Sequence, residues 1–548
     1  MAEQAGAKRT SMTTVVAASA AGTAFEWYDF FLFVPLATIM SKTFFAGLDD
    51  STAFIFALGA FAVGFAFRPI GALIFGRIGD RIGRKATFLA TMSLMGLSTF
   101  AIGLLPSYAT AGIIAPWLFL ALRILQGLAL GGEWGGAAIY IVEHVDDDKR
   151  GRTAAWLGGS AAFGLGGALL MVLIARSIVG EANFNAWGWR LPFLFSLALL
   201  AISMWIRLKL HESPAFQKLK DEGTRSEKPF AESFTQWKNL KTVLISLFAI
   251  LIAQGSVWYA VFFYASTFIE KTVKVAPATV NWVMLVVVAL SVPMYIGFGY
   301  LSDKIGRKPV MIGGMILFCV ALFPGFHQLT QAGSPALAEA SRNAPVVVTA
   351  DPANCSFQFD PVGKAQFRTS CDIAKSSLAA AGVSYDNAAG PAGSAAVIKV
   401  GDAVVEAPRG EALAPADLAK LKAGFAKELG AVLSKAGYPA KADPATTSPV
   451  MLLVWLIVFA IAATALYGPQ AAALVELFPT KIRYTAMSLP YHIGTGWVGG
   501  FLPATVFAIV AATGDIYAGL WYPFGFTAVA IVCALLFLPE TNGKDLDA

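Results

Sequence analysis

The sequence predicts an all-α membrane protein of twelve transmembrane helices, built as two related six-helix bundles with an insert between helices nine and ten. Only 14% of the 548 residues are charged, whereas a soluble domain carries about 25%. Apolar runs of about 20 residues recur along the chain, and each is long enough to cross a bilayer as a helix. A ten-residue motif beginning at Gly76 returns at Gly299, with an Asp and then Gly-Arg-Lys at the same spacing.

The apolar runs fix the order of the spans. The first run contains Glu26 and Asp29 and has no cleavage site, so it is interpreted as a span and not as a removable signal peptide. We predict spans at residues 13–41, 51–76, 86–105, 112–142, 151–176, 189–208, 240–269, 276–301, 309–327, 449–474, 485–512 and 518–538. The resulting domains are a first bundle (1–209), a linker (210–239), helices seven to nine (240–327), an insert (328–448), and helices ten to twelve with a short tail (449–548).

Basic residues are distributed unequally between the two sides of the predicted bundle. With the N-terminus inside, the inner loops are rich in Lys and Arg, while the short outer loops hold only Lys42, Lys271 and Lys274. This asymmetry predicts that both termini lie in the cytoplasm, and it suits a bacterial inner membrane. The net charge of +6 therefore reflects membrane topology, and we expect no nucleic-acid partner.

The insert makes the second half longer than the first. Asp80 and Glu143 are 63 residues apart, whereas their counterparts Asp303 and Glu476 are 173 apart. By the helix count, the extra 110 or so residues lie on the periplasmic side. Val-rich runs at 345–349 and 396–405 predict strands, and leucines at near-helical spacing predict an amphipathic helix over 415–437.

The insert also contains two of the four cysteines, Cys355 and Cys371. Outside the cytoplasm these two can form a disulfide, and the alternative is two free thiols. The segment has no convincing nucleophile, metal or phosphate motif, so we expect a small capping domain.

Several strings of residues carry a family resemblance. The Gly76 motif resembles the signature loop of the major facilitator superfamily, whose halves are parallel repeats. Six further strings resemble its metabolite:proton symporter branch: Phe25-Glu26-Trp27-Tyr28-Asp29-Phe30, Arg68-Pro69-Ile70-Gly71, Arg123-Ile124-Leu125-Gln126-Gly127, Gly131-Gly132-Glu133-Trp134-Gly135-Gly136, Glu476-Leu477-Phe478-Pro479-Thr480 and Met487-Ser488-Leu489-Pro490-Tyr491. The resemblance implies alternating access and proton-driven uptake of small acids or of zwitterions such as proline and betaine. It implies no cofactor, and we expect a monomer in the bilayer whose partners are the substrate and protons.

Five charged residues lie well inside the apolar spans: Glu26, Asp29, Arg68, Arg123 and Glu133. Each costs about 2.5–3.5 kcal/mol at the centre of a helix, so they should face the bundle interior and find partners. Depths from the helical rise match Asp29 with Arg123 and Arg68 with Glu133.

The five charges sum to −1, so one acid is expected to be protonated, because burial and like charge both penalise its ionised form. Glu26 and Glu133 are our proton-coupling candidates, with Asp29 next. The alternative is that the charges only lock spans one, two and four together.

The two arginines are also candidates for binding a substrate carboxylate by paired hydrogen bonds; the alternative is that their own acids consume them. Aromatic and amide groups suit the walls of a small-molecule pocket. Tyr295 and Trp497 are interpreted as packing or interface residues. His492 can titrate near neutral pH or be structural. The further substrate-binding candidates are Tyr28, Gln126, Gln254, Trp258, Tyr259, Tyr491 and His492.

The repeated motifs and their downstream partners are candidates for a cytoplasmic gate. The glycines allow tight turns, and the arginines can bind carboxylates or helix ends across the two halves. The family resemblance implies that these loops close the inner side while the cavity faces outward. The alternative is plain positive-inside topology. The candidates are Asp80, Arg84, Glu143 and Arg150 in the first half and Asp303, Arg307, Glu476 and Arg483 in the second.

Taken together, the sequence favours a secondary active symporter that takes up a small mono-, di- or tricarboxylate with protons. An alternative is a proton-coupled carrier of zwitterionic osmolytes such as proline or betaine. A third possibility, of another class, is a membrane receptor whose insert binds a ligand. No P-loop for ATP, no catalytic constellation and no metal motif are found, so the chain is not expected to be an enzyme.

Overall fold

The computed structural model describes residues 12–45, 50–208, 212–224, 226–359 and 366–546. Within these ranges, ten helices are long and apolar enough to cross a membrane by length and composition. Two further helical regions near the N-terminus precede them, and we number these regions and the ten helices together as spans 1 to 12 in chain order. Spans 1 to 12 are Met12–Phe31 with Phe33–Phe44, Asp50–Arg81, Arg84–Leu104, Ile114–Val142, Asp147–Val179, Arg190–Leu208, Trp237–Thr272, Pro277–Ile305, Arg307–Gly333, Pro449–Leu477, Arg483–Thr513 and Ala518–Phe537.

The helix bounds follow the predicted spans to within a few residues, with one larger difference at span 9. This helix continues to Gly333, six residues past its predicted end at 327. Hydropathy falls before the helix ends, because residues 328–333 are mostly small or polar, yet Leu329, Thr330 and Gly333 remain buried. The insert therefore starts at Ser334, and the predicted boundary between bundle and linker at 209–210 lies outside the described residues.

The same packing pattern occurs in both halves. In the first half, span 2 packs on span 4, span 1 on span 5 and span 3 on span 6; spans 8 and 10, 7 and 11, and 9 and 12 repeat these pairs in the second half. Between the halves, span 2 lies against span 11 and span 5 against span 8. The linker forms the helices Pro214–Asp221 and Pro229–Thr235.

Spans 7 and 11 are not regular α-helices throughout. They contain wider π-helical turns, a feature that often accompanies functional sites. These turns are Leu247–Leu251, Ala260–Tyr264 and Phe268–Thr272 in span 7 and Ile493–Gly499 in span 11.

The insert is a small α/β domain with its own hydrophobic core. Its helices are Pro335–Asn343, Ser370–Ala380 and Pro415–Lys435, and its strands are β1 (Val346–Ala350), β2 (Asp386–Ala389), β3 (Val397–Val400) and β4 (Ala403–Glu406). The sheet order is β2-β1-β3-β4, with β1 parallel to β2 and the other neighbours antiparallel. The predicted strands and amphipathic helix are confirmed, although 396–405 forms two strands because the chain turns at Gly401, where φ is +54°. Cys355 and Cys371 are joined by a disulfide.

The insert is attached to the end of span 11. The last carbonyls of a helix have no partner within it, and here the insert supplies donors for them. Tyr385 donates from its backbone N–H to the Gly514 carbonyl at 2.7 Å and from its hydroxyl to the Ala511 carbonyl. Asn387 Nδ2 donates to the Thr513 carbonyl at 2.7 Å. We call this end of the bundle the insert end, and the opposite end, which carries the repeated motifs, the motif end.

Candidate functional site

Two buried carboxylates share one arginine inside the first half. Arg207 Nη1 lies 2.9 Å from Glu133 Oε1 and 3.6 Å from Glu26 Oε1. Thr91 donates to the other oxygen of Glu133 at 2.9 Å. Glu26, Glu133 and Arg207 are each at most 3% exposed. We call these three residues the acid cluster; its formal charge is −1 when all three are ionised.

The predicted pair between Arg68 and Glu133 does not form within the described chain. Glu133 is instead bound by Arg207, a residue that the sequence places at the inner end of span 6. Depth along the membrane, on which the Arg68–Glu133 pair is predicted, does not say which neighbouring helix a side chain faces. A basic residue in the last turn of an apolar span was the available signal for Arg207.

Arg68 has a different environment. It is fully buried, yet its three guanidinium nitrogens make no hydrogen bond of ordinary geometry with the described residues. The guanidinium carbon lies 5.4 Å from the ring centre of Phe65 and 5.9 Å from that of Trp27. A cation over aromatic faces gains some attraction, and Tyr259 is close enough to interact with the guanidinium, but no described residue gives it a hydrogen bond of ordinary geometry.

Aromatic rings from both halves surround this arginine. The ring centres of Trp27 and Trp258 are 6.4 Å apart, and those of Phe65 and Tyr259 are 5.9 Å apart. Arg68 interacts electrostatically with Tyr259, Tyr467 and Tyr491 and with the ring of His492. We define the aromatic box as the rings that line this interface between the halves: Trp27, Phe65, Trp134, Trp258, Tyr259, Tyr295, Tyr467 and Tyr491.

Polar contacts hold the second-half side of the box together. Trp134 of the first half stacks on Tyr491 with ring centres 3.8 Å apart. The Tyr491 and Tyr467 hydroxyls are 3.1 Å apart, and Trp258 Nε1 donates to the Tyr295 hydroxyl at 3.1 Å. The interpretation of Tyr295 as a packing or interface residue is therefore too narrow, because its hydroxyl orients Trp258 within the box.

Further buried polar atoms on the same spans make no hydrogen bond of ordinary geometry with the described residues, although Trp134 lies near Tyr467 and His492 near the Gly131 backbone. They include Trp134 Nε1, Gln254 Oε1, both ring nitrogens of His492 and both amide atoms of Gln470. Buried polar atoms are normally paired, so a set of unpaired atoms calls for an explanation such as a ligand or ordered water. Together with Arg68, they mark the interface between the halves as the candidate binding site. Of the predicted binding residues, Arg68, Gln254, Trp258, Tyr259, Tyr491 and His492 lie on the spans that meet here.

The other predicted binding residues belong to a separate network within the first half. Asp29 accepts from Ser196 Oγ at 2.5 Å, and within the described chain it forms no ion pair with Arg123, contrary to the depth match. Arg123 donates to Gln126 at 2.7 Å, and Gln126 donates to Thr99 at 2.7 Å; Thr99 in turn interacts with Asp29. The two charges are thus linked through an amide and a hydroxyl.

Tyr28 is also a predicted substrate-binding residue. Its hydroxyl donates to the Pro192 carbonyl at 2.8 Å, which ties span 1 to span 6. This contact uses the one donor of the Tyr28 hydroxyl and lies within the first half.

At the motif end, Asp80 joins the first half to the second. Its carboxylate accepts from the backbone N–H groups of Tyr484 at 3.3 Å and Thr485 at 2.8 Å, at the start of span 11. A carboxylate at a helix N-terminus satisfies free N–H groups and interacts favourably with the helix dipole. Arg84 pairs with Asp80 at 3.1 Å and donates to the Thr480 carbonyl at 2.8 Å.

The second motif makes the corresponding contacts in the opposite direction. Asp303 accepts from the backbone N–H groups of Gly151 at 2.7 Å and Arg152 at 2.9 Å, near the start of span 5. Arg307 pairs with Asp303 at 2.5 Å and with Glu476 at 3.2 Å. Each motif therefore caps a helix of the other half.

The two copies differ in one ion pair. Arg483 of the second half binds Glu143 of the first at 2.8 Å. Its counterpart Arg150 forms an ion pair with Asp147 and donates to the Lys544 carbonyl of the C-terminal tail at 2.8 Å. Thr541 of the same tail donates to Glu476 at 2.8 Å. The tail thus takes the place that a direct Arg150–Glu476 pair would fill.

Each motif turn depends on a glycine. Gly83 and Gly306 adopt φ of +137° and +103°, a range that favours glycine. A Cβ at these positions would lie 2.3 Å from Glu212 Oε2 and 2.4 Å from Glu540 Oε2, respectively. These two carboxylates cap spans 3 and 9, accepting from Arg84 N at 3.1 Å and from Arg307 N at 2.8 Å.

The family assignment rests on most of the chain. The model of the Major Facilitator Superfamily matches residues 19–273 and 247–338, and the model described as Sugar (and other) transporter matches residues 426–548. The chain belongs to the major facilitator superfamily. The predicted family and helical fold are confirmed.

Named relatives are bacterial transporters. The "Proline/betaine transporter" of Salmonella typhimurium is 37% identical over 327 residues, which cover 57% of this chain and 63% of that protein. The chain thus spans less than two thirds of that relative's length. The "Inner membrane metabolite transport protein YhjE" of Escherichia coli is 36% identical over 334 residues, which cover 60% of this chain and 75% of that protein. These names agree with the family to which the chain belongs.

Solved structures share the fold. The proton:xylose symporter XylE bound to 6-bromo-6-deoxy-D-glucose superposes with a TM-score of 0.61 at 15% identity, covering 98% of each chain. A double Trp variant of XylE gives the same TM-score at 17% identity. At this level of identity the likeness shows the fold alone.

Proposed function

We propose that this protein is a proton-coupled symporter of small zwitterions of the proline or betaine type. The observation that carries the proposal is Arg68, a fully buried guanidinium without an ordinary hydrogen bond to the described chain, which is surrounded by aromatic rings of both halves. The names of the relatives support the same class, because several are proline/betaine transporters. This is the alternative from the sequence analysis, and it replaces an organic acid as the leading substrate class.

The aromatic box and Arg68 provide complementary chemistry for the two ends of a zwitterion. A guanidinium binds a carboxylate through two parallel hydrogen bonds. Aromatic faces attract quaternary ammonium groups, which have no N–H to donate and are recognised by such cages. A betaine placed with its carboxylate on Arg68 would rest its ammonium group against the surrounding rings.

The number of available cations argues against di- and tricarboxylates. Arg207 is bound by the acids of the acid cluster, and Arg123 is bound to Gln126. Among the described residues Arg68 is the cation of the aromatic box, and one guanidinium can satisfy one carboxylate. A second or third carboxylate of a substrate would be buried without a partner, at considerable cost.

The acid cluster is the proposed proton site. Two carboxylates around one guanidinium carry a net negative charge, and one proton makes the cluster neutral. Glu26 accepts no hydrogen bond from the described residues, whereas Glu133 is held by Arg207 and Thr91, so Glu26 is the better proton acceptor. Glu133 is adjacent in sequence to Trp134, which stacks on Tyr491. Through these neighbours on span 4, a change in the protonation of the acid cluster is passed on to the aromatic box.

The repeated motifs are the proposed gate. In the structure, Asp80, Asp303 and the Arg483–Glu143 pair tie the two halves together at the motif end. We place this end in the cytoplasm and the insert outside, which agrees with the excess of basic residues at the motif end. Breaking these contacts would let the halves separate there while the opposite end closes.

Uptake into proteoliposomes tests the proposal. With an inwardly directed proton gradient, labelled glycine betaine or proline should accumulate, and a protonophore should abolish the accumulation. Succinate and citrate, tested in the same vesicles, should not be concentrated. Accumulation of succinate without betaine or proline would return the assignment to organic acids.

A further inference from the structure

We propose that the junction between the insert and span 11 is a second binding site, which takes a small carboxylate with an apolar body. A cavity of about 480 Å³ lies here. Its walls come from β1 and β2 of the insert, from the segment around the disulfide, and from Ala512 at the end of span 11. It is distinct from the aromatic box, because none of its described lining residues belongs to that set.

Lys375 is the charged group of this cavity. It is 9% exposed, and among the described residues its ammonium makes one long contact, 3.4 Å to the Ala512 carbonyl. An ammonium carries three donors, so it can bind a further acceptor. Asp372, on the same helix, is already engaged, because it accepts from the backbone N–H of Ser356 at 2.7 Å and from its hydroxyl at 3.0 Å.

Burial shapes the chemistry of this lysine. Loss of water lowers the pKa of Lys375, and the nearby Asp372 offsets part of that effect. A lysine that is poorly solvated and only loosely paired gains from an anionic partner, which restores both charge balance and hydrogen bonds. A carboxylate in the cavity meets this need.

The rest of the lining determines the kind of carboxylate. Val348, Ala350, Pro352 and Phe357 present apolar surface, and the described lining residues include no Asp or Glu. The ammonium group of a zwitterion would find no acidic partner among the described lining residues. A monocarboxylate with a compact apolar body fits both the cation and the walls, which separates this site from the zwitterion site at Arg68.

The location connects the site to the attachment of the insert. Lys375 and Asn387 line the cavity, and both donate to carbonyls at the end of span 11. A bound carboxylate would compete with the Ala512 carbonyl for the Lys375 ammonium. Occupancy of the cavity by a carboxylate therefore affects the contact between the insert and the end of span 11.

Benzoate is a suitable probe, with benzamide as its uncharged match. Binding to the full-length protein in lipid nanodiscs is measured by isothermal titration and by ligand-observed NMR. We expect benzoate to bind about tenfold or more tightly than benzamide, because a charge-assisted hydrogen bond is lost with the amide. Lys375→Met should weaken benzoate binding by a similar factor, and Lys375→Arg should retain it.

Three controls make the result specific. Lys427→Met removes an exposed lysine of the insert and should leave benzoate binding unchanged. Ala388→Leu fills the cavity without changing charge and should weaken binding even if Lys375→Met is poorly folded. Arg68→Gln should leave benzoate binding unchanged, since it alters only the central site. Equal benzoate binding in wild type, Lys375→Met and Ala388→Leu, or its loss in Arg68→Gln alone, would overturn the proposal.

Discussion

Arg207 Nη1 donates to Glu133 Oε1 at 2.9 Å, in an environment where both residues are at most 1% exposed. Glu26 approaches the same nitrogen to 3.6 Å. Removing charges from water is expensive, and a buried ion pair repays that cost only when its partners are both present. The cluster of two acids and one base is therefore sensitive to the loss of its single cation.

Arg207→Met should destabilise the protein by about 3–5 kcal/mol, the usual cost of leaving a buried charge without its partner. Thermal unfolding of the purified protein measures this effect. The double variant Arg207→Met/Glu133→Met should recover much of the loss, because Glu133, the acid closest to Arg207, is also removed and Glu26 is left as the one acid of the cluster. A double variant no more stable than Arg207→Met would contradict the pairing.

Glu26→Gln should separate transport from proton coupling. Glutamine imitates the protonated acid, so the protein should still exchange labelled for unlabelled betaine across a membrane. Accumulation driven by a proton gradient should be lost, as measured in proteoliposomes. Glu181→Gln, at an acid whose side chain is 63% exposed beside Arg176, is the matched control and should behave as wild type. Full proton-driven accumulation by Glu26→Gln would remove Glu26 from the proton site.

Asp80→Asn should weaken closure at the motif end. The variant loses the negative charge that caps span 11 through Tyr484 and Thr485, a contribution of about 0.3–1 kcal/mol or up to about 2 when partly buried. A cysteine introduced at Ser488 should become more reactive to a thiol reagent added from the motif end, and transport should slow. The control Asp146→Asn changes an exposed acid bound to Lys149. Unaltered reactivity and turnover in Asp80→Asn would count against a latch.

The two gate arginines should have unequal effects. Arg483 forms a buried cross-half pair with Glu143, so Arg483→Gln should cost about 3–5 kcal/mol. Arg150 pairs with Asp147, whose side chain is 61% exposed, and Arg150→Gln should cost about 1 kcal/mol. Thermal unfolding of both variants gives the comparison directly. Equal losses would mean that the asymmetry seen between the two copies has no energetic consequence.

Much of this architecture follows from the sequence alone. Apolar runs and the duplicated motif predict the spans and the repeat, because the bilayer requires uninterrupted helices and the motif keeps its spacing. The strands and the amphipathic helix of the insert follow from Val-rich runs and leucine spacing. Asp80 and Asp303 are recognisable because an acid at a fixed place in a basic loop is unexplained by membrane orientation.

The partners of buried charges could not be obtained in the same way. Axial depth paired Arg68 with Glu133 and Asp29 with Arg123, whereas the structure binds Glu133 to Arg207 and connects Asp29 to Ser196. Which residues meet depends on the rotation of each helix and on which helices are neighbours. Aromatic residues posed a similar problem, since Tyr295 resembles an interface anchor until its contact with Trp258 is seen.

The most direct test of the central claim is the binding of glycine betaine to wild type and to Arg68→Gln, measured by isothermal titration of the full-length protein in lipid nanodiscs. If Arg68 supplies the carboxylate site of the aromatic box, wild type binds and Arg68→Gln binds at least about tenfold more weakly, with its thermal stability preserved. Equal affinity of a folded Arg68→Gln protein for glycine betaine would contradict the account.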